Sequence, residues 1–187
     1  MRIFGRSRTA AAERPPAVVL EAAGLRSRDV LAHAPTGPVW LLAGRQELVV
    51  IAHAGEPGAD APAELLRRTA WVDLDLADWD AEEGRLTFVP SEPGEEPWTV
   101  DLENTGELLT VVRERLSATL VLERHAVKDG HRVTVVCRRR GPGGPLIWRV
   151  RYAEGVDPDD PAVRRAASRL LLAAQAETGA AAGDLPS

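Results

Sequence analysis

The chain has 187 residues, of which 44% are hydrophobic and 27% are charged, and its formal net charge is −5. This composition is typical of globular proteins, and the length suits one domain of roughly 150 residues with its own core. The single cysteine excludes an intrachain disulfide, and the sequence contains no apolar run that could cross a membrane. The arginine-containing start lacks the apolar stretch of a signal peptide. We therefore expect a cytoplasmic protein with no transmembrane segment.

Short strand patterns dominate the first hundred residues. Residues 1–16, which end in Pro15 and Pro16, are predicted to be flexible, and residues 17–28 fit either a short helix or a strand. In the segment 70–77, apolar residues alternate with Asp73 and Asp75, which predicts a strand whose two aspartates point to water. The other predicted strands cover residues 30–32, 39–43, 47–52, 85–89 and 98–102, and residues 54–63 are predicted to form a loop.

Two helices are predicted, at about residues 105–117 and 160–178. Asn104 followed three residues later by Glu107 resembles a capping box, and the apolar residues after it recur at helical spacing. The second helix begins with Asp160 and Pro161, which suit a helix N-terminus, and Gly179 ends it.

The residues between the two helices predict a three-stranded antiparallel sheet. Asp129-Gly130 lies between two alternating segments and is a strong hairpin signal. It places Leu122 opposite Cys137, and it puts both on the face that is predicted to be buried. A third strand, 146–152, follows a loop rich in glycine and proline, and we expect it to bring Arg149 directly opposite Arg138.

These elements predict an α+β protein with a mostly antiparallel sheet, or sheets, of about eight or nine short strands and two helices. Residues 17–178 are expected to form a single domain, in which residues 28–117 form one part. Residues 118–178 would form a β-meander with the C-terminal helix. The last residues, 179–187, are expected to be a flexible tail.

Charge is distributed unevenly along the chain. Residues 37–106 carry a large excess of carboxylates, whereas residues 107–154 carry an excess of cations, nearly all of them arginines. Like charges opposite each other on a sheet are unfavourable, so we expect something acidic to complete the basic sheet face. It could be part of residues 37–106, a second subunit or an external anion. The candidate binding residues on this face are Glu123, His125, Arg132, Arg138, Arg149 and Arg151.

Several phrases together resemble an uncharacterised family of small actinobacterial proteins. They are RDVLAHA, VWLLAGRQELVV, WVDLDLADWD, LLTVVRERLSATLVLERHAV and GVDPDDPAVRRAASRLLLAAQAE, and they cover roughly residues 28–178. The resemblance implies a pleckstrin-homology-like core in residues 28–117, with a curved sheet closed by the first predicted helix. It implies no activity, substrate or catalytic residue.

No catalytic, cofactor or metal motif is present. The four aspartates from Asp73 to Asp80 do not match a calcium-binding loop, and the histidines lack metal-ligand spacing. The sequence therefore predicts a non-enzymatic binding or scaffolding module without a cofactor, whose partner is an acidic protein, an anionic ligand or its own acidic half. The alternatives are a small hydrolase that uses His125 and Glu123, and a weak nucleic-acid binder, which the net negative charge disfavours. A homo-oligomer is left open.

Overall fold

A computed structural model describes residues 14–53, 61–128 and 131–179. Most of both predicted flexible ends, and the Asp129-Gly130 turn itself, lie outside these residues. The helices are α1 (Ala17–Ala22), α2 (Leu108–Thr119) and α3 (Pro161–Thr178). The strands are β1 (Val30–Thr36), β2 (Val39–Gly44), β3 (Glu47–His53), β4 (Ala63–Ala70), β5 (Leu74–Asp80), β6 (Arg85–Pro90), β7 (Trp98–Asp101), β8 (Leu120–Lys128), β9 (His131–Arg139) and β10 (Leu146–Tyr152).

The α+β class with antiparallel sheets is confirmed, but the strand number is not. The described residues form ten strands in three open sheets, with the orders β1-β2-β3-β4, β10-β9-β8 and β5-β6-β7. The additional strand is β4, whose residues do not alternate between apolar and polar because both of its faces are exposed. The pleckstrin-homology-like core is not established by this strand order.

The segment that was predicted to be one strand, 70–77, is divided. A short 3-10 turn at Trp71–Asp73 follows β4, and β5 begins only at Leu74. Trp71 and Val72 are buried within the turn, whereas Leu76, which was predicted to point inwards, is 53% exposed. The strand therefore begins four residues later than predicted, and the predicted assignment of its two faces is wrong at Leu76.

Contacts divide the chain into two compact units. Unit 1 comprises the described residues up to Thr69, together with Asp78–Thr87 and Thr99–Val112. Unit 2 comprises Ala70–Ala77, Phe88–Trp98 and the described residues from Arg113 onwards. The predicted division into a part 28–117 and a part 118–178 stays a prediction.

The core of unit 1 lies between α1 and the four-stranded sheet. Val19 of α1 and Ala23, which follows the helix, pack with alternate residues of the two central strands. The predicted hairpin of β2 and β3 is confirmed, with Ala43 opposite Leu48. Nearly every residue of these two strands is buried. Their sequences therefore lack the alternation of apolar and polar residues that marks a strand with one exposed face.

The core of unit 2 lies between α3 and one face of the sheet formed by β8, β9 and β10. Val135, Cys137 and Trp148 pack there with Ala174 of α3, and Leu170 is partly buried against them. The predicted ends of α3 are confirmed. The Asp160 side chain accepts hydrogen bonds from the backbone nitrogens of Ala162 and Val163, and Gly179 ends the helix with φ 66°.

Helix α2 begins at Leu108, three residues later than predicted. The Asn104 side chain accepts a hydrogen bond from the backbone nitrogen of Gly106, two residues on, so it forms a turn before the helix. Leu108 and Val112 are buried, as the helical spacing predicted. None of the helices among the described residues has the length and apolarity that are needed to cross a bilayer.

Candidate arginine-binding face

The candidate site is the second face of the β8–β9–β10 sheet, opposite the face that α3 covers. The predicted register of its first hairpin is confirmed, with Leu122 opposite Cys137 and Ala126 opposite Val133. A β-bulge between Leu120 and Leu122 ends this regular pairing, so Leu120 lies opposite Arg138. We call this second face the arginine face. It carries Glu123, His125, Arg132, Arg138, Arg149 and Arg151 by strand alternation.

The predicted register of the second hairpin is wrong by two residues. Arg138 lies opposite Ile147 and Arg149 lies opposite Val136, so the two arginines are diagonal neighbours. The loop closes more tightly than the sequence suggested, because the backbone nitrogen of Arg140 donates to the carbonyl of Pro145. A shift of two residues keeps every side chain on its face, and the composition of the arginine face is therefore unchanged.

Arg138 is buried, although the sequence placed it on the sheet face that lies away from the predicted core. Its side chain donates to the carbonyl of Leu116 at 3.1 Å and to the hydroxyl of Thr119 at 2.7 Å, both in the last turn of α2. It also donates to the backbone carbonyl of Asp75 at 3.0 Å. The last carbonyls of a helix have no partner within the helix and carry its negative end, and Arg138 satisfies one of them, that of Leu116.

Two opposing influences act on the pKa of Arg138. Burial lowers it, and the neighbouring charges of Arg151 and Arg149 lower it further, whereas Asp75 and Glu123 raise it. A buried cation is stable only when hydrogen-bond acceptors and counter-charges replace the lost water. Those acceptors come from the chain itself.

The segment from Val72 to Asp75 also supplies acceptors to Arg149 and Arg151. Arg149 donates to the carbonyl of Val72 at 3.0 Å and to the carboxylate of Asp73 at 3.2 Å. Arg151 donates to the carboxylate of Asp75 at 3.1 Å. Asp73 and Asp75 were predicted to point to water, and that prediction is wrong, because their side chains form ion pairs with the arginine face.

Asp73 also lies 3.4 Å from the guanidinium of Arg140, so one carboxylate serves two arginines. The side chain of Asp75 is only 12% exposed. Both aspartates belong to the acidic segment 37–106, which is one of the three sources considered for completing the face. All the residues in these contacts belong to unit 2.

The other end of the arginine face is open. His125, Val127 and Arg132 are exposed there, and Val127 is 63% exposed. Val127 lies opposite Arg132, and His125 lies opposite Thr134. Within the described residues, no carboxylate forms an ion pair with Arg132. The face therefore has a covered end, at Arg138 and Arg149, and an open end.

The proposed acid–base pair does not form a mutual contact among the described residues. Glu123 and His125 are both exposed, and the Glu123 carboxylate lies 3.7 Å from the guanidinium of Arg151. The Glu123 carboxylate is therefore directed towards the row of arginines. To transfer protons, Glu123 and His125 would both have to reach the same substrate, and this substrate would have to bind on the exposed surface of the sheet.

The remaining candidates occupy structural positions. Cys137 is fully buried, and burial raises the pKa of its thiol, which suits a packing role. His33 contacts the ring of Trp40 with centroids 6.0 Å apart, and burial lowers its pKa. Across the ranges that the structure describes, no three His, Cys, Asp or Glu side chains are grouped to hold a metal ion.

Sequence reasoning missed Asp73, Asp75 and Arg140 as members of the site. It weighed the two aspartates as calcium ligands and then assigned them to a solvated strand edge. The signal that could have found the two aspartates is the charge balance between segments, because the arginine face needed carboxylates and residues 37–106 carry a large excess of them.

Comparison with known proteins adds no family. A scan against models of protein families and a search of curated proteins both found no match to this chain. The geometry of the chain itself is therefore the basis for any functional proposal.

Proposed function

We propose that this chain is a non-enzymatic protein-binding module, and that the open end of the arginine face takes an acidic segment of a partner protein. The observation that carries this proposal is the difference between the two ends of the face. Arg138 and Arg149 are held by carbonyls and by Asp73, whereas Arg132 is exposed beside His125.

The chemistry of the open end suits a carboxylate-bearing segment with apolar residues. The guanidinium of Arg132 can bind a carboxylate through two parallel hydrogen bonds. Val127, directly opposite Arg132, offers exposed apolar surface to the same segment. Mixed apolar and arginine surfaces are common at the centres of protein interfaces.

Two alternatives have less support. A hydrolase that uses His125 and Glu123 would need both groups free for a substrate, and Glu123 faces Arg151. Nucleic-acid binding needs clustered free cations, and the covered arginines are neutralised by the chain's own carboxylates. The net charge of −5 also opposes phosphate attraction.

The resemblance to an actinobacterial family with a pleckstrin-homology-like core belongs to the same proposal. Helix α2 follows β7 in the chain, which is the order in which a closing helix follows the sheet in such folds. We also propose a cytoplasmic location, on the basis of the single cysteine.

The test is selection from a displayed library of random peptides, followed by fluorescence anisotropy with the enriched peptides. Selected peptides should be rich in Asp and Glu interspersed with apolar residues. Arg132→Ser should weaken their binding about tenfold, which is the loss of roughly 1.4 kcal/mol expected for one charged contact. Arg165→Ser, which removes the same charge from an exposed position on α3, should leave binding unchanged. Peptides without acidic enrichment, or equal losses in both variants, would refute the proposal.

A further inference from the structure

The four-stranded sheet of unit 1 has two edge strands, and they differ in how they are protected. Strand β1 contains Pro35, its pairing is irregular between Val30 and Ala32, and the hydroxyl of Thr36 donates to the carbonyl of Asp101. Proline and β-bulges are common devices by which natural sheets prevent edge-to-edge association. Strand β1 is therefore poorly suited to pairing with another strand.

Strand β4, at the other edge, contains no proline among its eight residues, AELLRRTA. All five residues from 64 to 68 are exposed, and Leu65 and Leu66 are 43% and 53% exposed. Because consecutive residues of a strand point to opposite faces, apolar surface is exposed on both faces of the edge. An exposed sheet edge is a template for pairing with another strand.

We propose that β4 pairs antiparallel with β4 of a second copy of this chain, about a two-fold axis at Leu66. A two-fold axis between antiparallel strands stands perpendicular to the sheet, so one residue of each copy faces its own counterpart. A residue that precedes this central residue by a given number of positions in one copy then lies opposite the residue that follows it by the same number in the other copy. This symmetry leaves a small number of registers to compare.

The charges of β4 favour the register about Leu66. Leu66 then faces Leu66 of the second copy, and Glu64 faces Arg68 at two equivalent positions. An axis at Leu65 would instead place Glu64 opposite Leu66. An axis at Arg67 would place two arginines face to face. Opposite charges directly across a sheet are favourable and like charges are unfavourable.

The intrachain contacts of Arg68 leave it able to pair with Glu64 of the second copy. Its guanidinium donates to the Glu47 carboxylate and, at 2.6 Å, to the carbonyl of Ala23, just after α1. These contacts use two of its five N–H groups, and the side chain remains 38% exposed. The guanidinium of Arg68 can therefore donate to a second carboxylate while it keeps its ion pair with Glu47.

The resulting dimer would join two four-stranded sheets into one continuous sheet of eight strands. The paired region would run from Ala63 to Thr69, which lie opposite each other in this register. One strand edge is a small interface, so association should depend on concentration. This inference concerns unit 1 and is independent of the proposed function of the arginine face in unit 2.

Cysteine trapping tests the register in the full-length chain. In a Cys137→Ser background, which removes the native thiol, Leu66→Cys should form a disulfide-linked dimer under mild oxidation, because its counterpart lies directly opposite. Leu65→Cys should cross-link at least tenfold more slowly, since Arg67 lies opposite it. Faster cross-linking through Leu65→Cys, or equal slow rates for both, would overturn the proposed register.

Sedimentation velocity across a concentration series tests the charge complementarity. Glu64→Arg places like charges opposite each other twice and should raise the dimer dissociation constant tenfold or more. Glu103→Arg makes the same charge change at an exposed position outside β4 and should alter it less than twofold. Thermal unfolding should show that both variants remain folded. A wild-type chain that stays monomeric up to about 1 mM would refute the proposal, since even weak pairs associate there.

Discussion

Replacing Asp73 with asparagine should destabilise the protein by about 2 kcal/mol. The change removes one negative charge that serves both Arg149 and Arg140 while leaving the side-chain shape almost unchanged. Arg149 is only 18% exposed, so a charged hydrogen bond there contributes about 1.5 kcal/mol. Arg140 is 51% exposed, and its pair should add no more than about 0.5 kcal/mol.

Urea denaturation of the wild-type and Asp73→Asn proteins measures this difference. Asp78→Asn is the matched control, because Asp78 is exposed and should change the free energy of unfolding by less than about 0.5 kcal/mol. The dependence of the free energy on urea concentration should stay the same, since the surface exposed on unfolding is unchanged. If Asp73→Asn and Asp78→Asn have the same small effect, the ion pairs at Asp73 do not stabilise the fold.

Three further predictions follow from the packing and the turns. Leu170→Ala should cost about 2 kcal/mol in a denaturant titration, because Leu170 packs on the core, whereas Leu172→Ala, at a residue 62% exposed on the same helix, should cost less than about 0.5 kcal/mol. Cys137 should react with a thiol reagent only after urea unfolds the protein, because burial both shields it and raises its pKa. Backbone hydrogen bonds from Glu83 and Glu82 lower the pKa of Asp80 below 3.8, so Asp80→Asn should destabilise at pH 7, and the difference should shrink as the pH falls below 3.8.

The contacts that local sequence determines could be predicted. Asp129-Gly130 positioned the β8–β9 register correctly as far as Leu122, because a two-residue turn leaves little freedom in the pairing next to it. The caps of α3 were correct for a similar reason, since Asp160 and Gly179 act within one turn of the helix. Each of these features depends on residues that are close in sequence.

The register of β10 could not be predicted from alternation. The wrong and the observed registers differ by two residues, and both keep Trp148 and Val150 on the buried face. The observed register depends on how the loop folds, with Gly141 and Gly143 at φ values of 69° and 70°. The sequence shows that the loop between β9 and β10 contains glycines, but it does not show how many residues the turn between the two strands contains.

The environment of Asp73 and Asp75 was also inaccessible to local reasoning. Alternation assigns residues to the two faces of a strand, but it cannot show that Asp73 and Asp75 contact arginines of β10. Arg149 and Arg151 lie more than seventy residues away in the chain. Only the excess of positive charge on the arginine face indicated that carboxylates had to come from elsewhere.

A double-mutant cycle on Asp75 and Arg151 tests most directly whether the chain's own carboxylates neutralise the covered end of the arginine face. Asp75→Asn, Arg151→Gln and the double variant are compared with the wild type by urea denaturation. The pair lies 3.1 Å apart, with side chains 12% and 37% exposed, so we expect a coupling energy of about 1–2 kcal/mol. Losses that simply add, with a coupling energy near zero, would show that the two charges do not interact in the folded protein.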